Sequence, residues 1–323
     1  MINERMETPM RKVTIIGAGN VGATIAYTLA VEGLVNEVLM IDIRAEKAAG
    51  EAMDIAQGAP FYSGTRVYAG DYADAVSSDM VIITSGVGRK PGQTRLDLAQ
   101  INVNILADIA PKITKYAPNA IYLIVSNPVD VLTYVFHKIT NIPTEHILGS
   151  GTILDTSRVR SYLAKHFDIS QQNIHTHVLG EHGDSSFIPW SQASVSSVDI
   201  DKYAALIEEH GMHVPPLDRA AVEEHVRSSG SQIIARKGAT YYAVAVATVH
   251  ICKCIFGDND TALTVSTMLD GEYGISDVCL SLLTVVGREG VKLRIPSHLS
   301  DEEVEKLHHS ADCLKKVINQ IKF

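Results

Sequence analysis

The sequence has 323 residues, a length that corresponds to one large domain or to two of ordinary size. Hydrophobic residues make up 46% of it and charged residues 20%, so the chain can bury a full core, which excludes a disordered protein. The net charge of −9 argues against nucleic acid as the main partner.

The chain has no apolar run that could span a membrane, and residues 1–10 lack the apolar core of a signal peptide. Its four cysteines form no CxxC pair, and no His or Cys stands near them at zinc-ligand spacing. We therefore expect a cytoplasmic protein with reduced thiols and no metal site.

The first predicted strand, residues 13–16, is a short β-branched run that leads into the glycine-rich turn Gly17-Ala18-Gly19-Asn20-Val21-Gly22. A predicted helix continues from this turn to Ala30. In such a turn Gly17 makes the tight bend, Gly19 lets the backbone approach a pyrophosphate, and Gly22 lets helix and strand pack closely. The six residues of the turn are therefore candidate dinucleotide-binding residues, although methyltransferases also use glycine-rich loops.

Asp42 ends the second predicted strand, residues 38–41, and follows Gly22 by twenty residues. A carboxylate at this position accepts hydrogen bonds from ribose hydroxyls and repels a 2′-phosphate. The pattern therefore predicts NAD rather than NADP as the cofactor.

Further strands and helices alternate along the first half of the chain. Strands are predicted at 66–68, 80–84 and 120–125, with helices at 46–56 and 97–116 between them. This alternation predicts an α/β fold with a doubly wound parallel sheet of the Rossmann type. We place a NAD-binding domain at 11–149 and an α+β catalytic domain at 150–323.

Two loops are expected at the carboxyl ends of the fourth and fifth strands, where doubly wound sheets bind ligands. The first, residues 85–95, is rich in glycine and carries Arg89 and Arg95, which is typical of a lid over a bound anion. The second, residues 126–130, includes Asn127. An ordinary solvated loop is the alternative interpretation of the first.

The second half begins with a predicted helix at 154–167 that carries Asp155, Arg158 and Arg160. The first two are three residues apart and share a helix face, whereas Arg160 lies roughly 200° around the helix from Arg158. Arg160 must therefore serve a different surface. Further helices are predicted at 216–234 and 239–256 and from Asp301 onward.

His182 stands between Gly180 and Gly183-Asp184, behind an apolar, strand-like pair of residues. It can exchange a proton near neutral pH, Asp155 can orient the imidazole, and Arg158 can bind a carboxylate in bidentate fashion. Arg95 can polarise a carbonyl oxygen. With a dinucleotide these groups fit the reversible reduction of a 2-oxo acid. A nucleotide-binding regulator without turnover is the alternative from another class.

The chain resembles the L-lactate/malate dehydrogenase family over essentially its whole length. The resemblance rests on the motifs GAGNVG, PGQTRLDL, SNPVD, SGTILDTSRVR, GEHGDS and KGATYY. It implies that His182 is the acid/base, Asp155 its orienting partner, and Arg95 the carbonyl-polarising group. It further implies substrate contacts from Arg158, Asn127 and Thr240, and nicotinamide contacts from Asn127 and Val244.

The substrate loop departs from the pattern of the most similar subgroup, the bacterial L-lactate dehydrogenases. Those enzymes usually place Gln before the KPG motif, whereas this chain has Arg89, as malate dehydrogenases do. We therefore expect oxaloacetate and L-malate as substrates, with pyruvate and L-lactate as the alternative. The resemblance also implies a homo-oligomer, most often a tetramer, that binds fructose 1,6-bisphosphate at a subunit interface through Arg160 and His175.

Overall fold

Strands and helices alternate through the first half of the chain, and long antiparallel strands follow in the second half. These bounds come from a computed structural model, which describes residues 11–62, 64–88, 92–257 and 259–323. Its strands are β1 (Lys12–Ile16), β2 (Glu37–Ile41), β3 (Arg66–Ala69), β4 (Met80–Ile83), β5 (Ile121–Ile124), β6 (Ile147–Gly149), β7 (Ile174–His175), β8 (Ser194–Val195), β9 (Val198–Asp199), β10 (Thr261–Asp270), β11 (Ser276–Gly287) and β12 (Gly290–Arg294). Its α-helices are α1 (Asn20–Glu32), α2 (Ala45–Gln57), α3 (Arg95–Tyr116), α4 (Val129–Ile139), α5 (Ile153–His166), α6 (Ile200–Glu209), α7 (Arg219–Lys237), α8 (Tyr242–Phe256) and α9 (Asp301–Ile318).

The first six strands form a parallel sheet in the order β3-β2-β1-β4-β5-β6. This is the order of a Rossmann fold, so the predicted doubly wound sheet is confirmed. Strands β4 and β5 are buried at every residue, as a sheet covered by helices on both faces requires. The chain order changes direction between β1 and β4, which places the first glycine turn beside Thr84 and Ser85 at the end of β4.

The second half extends the same sheet instead of building a separate one. Strand β10 pairs antiparallel with β6 at Ser266 and Gly149, and β11 and β12 continue to the edge. These three strands were not predicted from the sequence. Their buried faces carry Thr264, Ser266 and Thr284, each no more than 2% exposed, so the apolar alternation typical of a strand is interrupted.

Several helix boundaries differ from the prediction because of their capping residues. Helix α3 begins at Arg95, since Thr94 and Asp97 form a reciprocal capping box at its N-terminus. Arg95 is therefore a helical residue and not part of the loop. Helix α7 runs three residues further than predicted and ends at Gly238 in a left-handed conformation, and α8 begins only at Tyr242.

Two large hydrophobic clusters lie on opposite faces of the sheet and include residues from both halves of the chain. A smaller cluster packs under α5, α6 and α7. No helix in the described ranges is both long enough and apolar enough to cross a membrane. The sheet is thus packed on both faces, and the ends of its strands position the loops described next.

Candidate active site

The turn between β1 and α1 is shaped to accept an anionic group. Gly17 has φ +109° and lies so close to Thr84 that a side chain would collide, and a Cβ at Gly22 would overlap the Gly17 carbonyl. A Cβ at Gly19, in contrast, would meet nothing within 4 Å. Gly19 is also the N-cap of α1 and supplies no side-chain cap, so the first N–H groups of the helix face open space.

Asp42 lies beside this turn at the end of β2. Its carboxylate accepts hydrogen bonds from the backbone N–H of Ala18 (2.7 Å) and of Arg44 (2.9 Å). The side chain is 12% exposed, whereas that of Arg44 is 71% exposed. Asp42 thus fixes the turn and presents its negative charge to the cleft, which has a volume of about 670 Å³.

Asn102 on α3 joins the two loops at the strand ends. Its side-chain oxygen accepts from the Val87 N–H at 2.9 Å, and its amide donates to the carbonyls of Val87 (3.2 Å) and Asn127 (2.7 Å). Asn102 is 2% exposed. The sequence did not reveal the role of this residue, because nothing in a helical pattern shows that a buried Asn bridges two loops.

His182, Asp155 and Arg158 form a continuous chain of contacts. The His182 Nδ1 lies 2.6 Å from Asp155 Oδ2, and Arg158 Nη1 donates to Asp155 Oδ1 at 2.7 Å. Their side chains are 27%, 7% and 15% exposed, so the carboxylate is the buried centre of the three. Its hydrogen bond to Nδ1 leaves the other ring nitrogen free to exchange a proton with a ligand.

The sequence pattern indicated a strand just before His182. The structure instead places His182 in a loop that does not follow a regular strand. Leu179 and Gly180 make single bridges to Phe187 and Ser281, and Gly180 has φ +89°. A side chain at Gly180 would press on Ser310 of α9. The glycine therefore lets the chain turn tightly enough to present His182 to the cleft.

Arg95 forms an ion pair with Asp184, two residues after His182. Both side chains are more than 60% exposed, so the pair ties the start of α3 to the histidine loop at the surface. Arg89 lies outside the described residues.

The remaining predicted residues fall into two regions. Asn127, Val244 and His182 line one small cavity of about 30 Å³, and half-buried Thr240 lies between α7 and α8. Arg160 instead donates from Nε to the Thr176 carbonyl at 3.2 Å, while His175 is exposed on β7. The arginine therefore faces away from the Asp155 side of its helix.

Two further side chains hold the histidine loop, and both were missed from the sequence. Asp130 Oδ2 accepts from the His182 N–H at 2.7 Å, and the Ser310 hydroxyl accepts from the Glu181 N–H at 2.7 Å. They come from α4 and α9, 52 and 129 residues away from the groups they bind. Asp130 lies in the SNPVD motif that the sequence analysis singled out, but its target could not be deduced from local spacing.

Family models match nearly the whole chain. The model for the lactate/malate dehydrogenase NAD-binding domain covers residues 11–149, and the model for the lactate/malate dehydrogenase alpha/beta C-terminal domain covers 152–323. The chain belongs to the lactate/malate dehydrogenase family.

Relatives of this dehydrogenase match it from end to end. The chain is 47% identical to an L-lactate dehydrogenase of Thermoanaerobacterium saccharolyticum over 97% of its own length and 99% of the relative. An L-lactate dehydrogenase of Clostridium botulinum is 42% identical over 99% and 98%. The solved structure of a minor L-lactate dehydrogenase from Enterococcus mundtii superposes with a TM-score of 0.91, at 35% identity and coverage of 97% and 99%. That of an L-lactate dehydrogenase from Clostridium thermocellum gives 0.85, at 38% identity and coverage of 97% and 100%.

NAD is the cofactor of this dehydrogenase, an oxidoreductase that acts on CH–OH groups. The residues fit that cofactor, because the open space at Gly19 and the uncapped start of α1 suit a pyrophosphate. The Asp42 carboxylate suits ribose hydroxyls.

The electrostatics of the dehydrogenase site favour a protonated His182. The Asp155 charge raises the pKa of His182 to about 9, with burial opposing the shift. Burial alone would raise the pKa of Asp155, but the His182 and Arg158 charges outweigh it and lower that pKa. A pKa of about 9 means that the imidazole of His182 is mainly protonated at neutral pH.

We expect NADH to give a higher kcat/KM than NADPH, because Asp42 would meet the 2′-phosphate as a like charge. The substitution Asp42→Ser should lower the ratio of kcat/KM with NADH to kcat/KM with NADPH. Asp71→Ser, which removes an exposed carboxylate that caps a short helical turn, is the control. Steady-state kinetics with both cofactors measure the effect. Equal use of NADPH by the unmodified enzyme would contradict the role given to Asp42.

Proposed function

We propose that the chain is an L-lactate dehydrogenase that interconverts pyruvate and L-lactate with NADH and NAD⁺. The observation that carries this proposal is the His182–Asp155–Arg158 arrangement within a chain 42–47% identical to full-length L-lactate dehydrogenases. Arg89 had favoured oxaloacetate in the sequence, but the relatives support the alternative substrate, pyruvate.

Each residue of the arrangement has one task in the proposed reaction. Arg158 binds the substrate carboxylate with the guanidinium N–H groups that its ion pair with Asp155 leaves free. His182 donates its proton to the substrate carbonyl oxygen during reduction and recovers it during oxidation. Asp155 keeps the imidazole oriented and stabilises its charged form. NAD(H), when bound, supplies or accepts the hydride.

Four further residues complete the proposed site. Arg95, which lies next to the histidine loop through its pair with Asp184, polarises the carbonyl oxygen as negative charge develops there. Asn127 contacts substrate and nicotinamide, and Val244 packs near the nicotinamide; they share one cavity with His182. Thr240 borders the side-chain pocket of the substrate.

Oxaloacetate is the second candidate substrate, and Arg89 is the observation that favours it. A guanidinium in the substrate loop could form a charge-assisted, bidentate pair with a second carboxylate. Pyruvate brings only a methyl group, so a buried guanidinium would lose water and gain no partner.

Parallel NADH-oxidation assays with pyruvate and oxaloacetate at equal low concentration decide between the two substrates. We expect a higher kcat/KM with pyruvate, and we expect Arg89→Gln to raise the pyruvate-to-oxaloacetate ratio of kcat/KM by about 10²–10³-fold, because it removes a charge that would pair with the second carboxylate. Arg66→Gln, on β3, is the matched control. Faster reduction of oxaloacetate by the unmodified enzyme would establish the second candidate.

We also propose a homo-oligomer, a tetramer, that binds fructose 1,6-bisphosphate through Arg160 and His175. The two residues lie close enough that the charges of both act, after burial, to lower the pKa of the neighbouring His177 to about 4. A guanidinium beside histidine side chains, whose ring N–H groups can donate hydrogen bonds, favours an anionic ligand.

Light scattering and titration with the sugar bisphosphate test this assembly. We expect a tetramer whose KM for pyruvate falls when fructose 1,6-bisphosphate is added, and we expect Arg160→Gln to remove that response. A monomeric protein would contradict the proposed subunit interface. A tetramer whose KM for pyruvate does not change with fructose 1,6-bisphosphate would contradict the proposed effector site.

A further inference from the structure

The backbone of the histidine loop is anchored from beneath at two successive residues. The Glu181 N–H donates to the Ser310 hydroxyl and the His182 N–H donates to the Asp130 carboxylate, both at 2.7 Å. Ser310 is fully buried and Asp130 is 2% exposed. The two anchors therefore match in length and burial, but one is neutral and the other can carry a full negative charge.

An anchor of this kind does not need a charge, as the neutral Ser310 hydroxyl shows. The buried carboxylate of Asp130 has few hydrogen bonds to offset the cost of its charge. Asp130 Oδ1 has no hydrogen bond of regular geometry within the described residues, although the Ser266 hydroxyl lies close enough to favour ionisation. Burial raises the pKa of Asp130 to about 6. A neutral Asn or Ser could accept the same N–H without placing an ionisable group in the core.

His182 is the group that benefits from the Asp130 charge. The largest influence on its pKa is Asp155, and Asp130 adds to it in the same direction, while Arg158 opposes both. The other ionisable groups that act on Asp130 or feel its charge are Glu181 on the loop and the buried Cys279 on β11. An ionised Asp130 raises the pKa of both Cys279 and His182, but among these groups only His182 is cationic when protonated, so only its protonated form is attracted to the Asp130 carboxylate.

We propose that Asp130 is a positioning residue for His182, which anchors the histidine backbone and also supplies a second buried negative charge that holds the imidazolium form. Asp155, on α5, orients the imidazole ring. Asp130, on α4, holds the backbone N–H of His182 and places a negative charge near the imidazole. The proposal rests on the proposed function only in linking the proton of the His182 imidazole to turnover.

Three variants separate the charge from the anchor. Asp130→Asn removes the charge and keeps an acceptor of the same size for the His182 N–H. Ser310→Ala removes the neighbouring neutral anchor and changes no charge. Asp277→Asn removes an exposed carboxylate that pairs with Lys138 and touches none of the site residues, so it is the matched control.

NMR titration of the His182 imidazole in the protein without substrate is the first readout, because it does not depend on activity. We expect Asp130→Asn to lower the His182 pKa by about 0.5–1 unit and Ser310→Ala and Asp277→Asn to leave it unchanged. An unchanged value in Asp130→Asn, or an equal fall in Ser310→Ala, overturns the proposal. If neither 2-oxo acid is reduced, the proposed function fails while this titration still tests Asp130.

Kinetics and thermal unfolding distinguish positioning from a structural role. In Asp130→Asn we expect kcat for reduction to fall about 3- to 10-fold with little change in KM, and the high-pH limb of kcat/KM to move to lower pH.

Thermal unfolding gives the second comparison. Because folding raises the pKa of Asp130, its ionisation weakens the fold as the pH rises above about 4. The Tm of Asp130→Asn at pH 8 should therefore not fall below that of the unmodified protein. A lower Tm with an unmoved pH profile would show that Asp130 is merely structural. Asp130→Ser repeats the test if Asp130→Asn does not fold.

Discussion

The substitution His182→Asn is expected to lower kcat for the reduction of pyruvate by about 10²–10⁴-fold, the usual contribution of general acid–base catalysis. Asn has a similar size but cannot donate a proton at neutral pH. The cleft that fits NADH lies around Gly19 and Asp42, so the variant should bind NADH nearly as well as the unmodified enzyme. Stopped-flow turnover and NADH fluorescence titration measure the two quantities.

A second histidine provides the control for this experiment. His210 is exposed at the end of α6, and His210→Asn should change neither turnover nor NADH binding. Turnover close to normal in folded His182→Asn would remove His182 from the mechanism. Loss of NADH binding along with turnover would mean that the loop supports the cofactor cleft instead.

The substitution Asp155→Asn is expected to lower kcat for reduction by about 10²-fold or more, since one carboxylate serves both His182 and Arg158. The pKa of His182 should fall from about 9 toward the ordinary histidine value of 6.5. Reduction needs the protonated imidazole, so its rate should decline at a lower pH than in the unmodified enzyme. The pH profile of kcat/KM and an NMR titration of His182 measure both changes.

The sign of the stability effect follows from the same pKa. Because folding raises the pKa of His182, the pair with Asp155 stabilises the protein fully below pH 6.5, and this contribution disappears as the pH rises through 9. Asp155→Asn should therefore lower Tm at pH 6 more than at pH 10. Asp201→Asn, which removes an exposed pair with Arg219, is the control. A pH profile identical to that of the unmodified enzyme would contradict the role of Asp155.

The sequence predicted the parallel half of the fold because local patterns determine it. Strands β4 and β5 are short, continuous apolar runs, β1 and β2 are buried after their first residue, and the glycine turn and Asp42 follow at fixed spacing. Strand β6 has only three residues, too few to show a pattern. Strands β10 and β11 were missed because buried threonines and serines hydrogen-bond inside the core and imitate a polar loop.

The sequence also supplied the residues that face a ligand, but not those that hold them. The residue types of His182, Asp155 and Arg158 indicate their chemistry directly. Asn102, Asp130 and Ser310 are polar residues in otherwise ordinary helices, and each acts on a loop that is distant in the chain. Such partners are defined by tertiary packing, which helix periodicity does not encode.

The pairing of β10 with β6 also bears on how the protein unfolds. Since one sheet and both large hydrophobic clusters cross from the first half of the chain to the second, neither half has a complete interior of its own. A fragment that ended at Gly149 would expose the edge of β6 and a broad apolar surface, both of which promote aggregation. The two halves should therefore melt in a single cooperative transition, and exchanging one half with that of a distant relative should require matched interiors on both sides of the sheet.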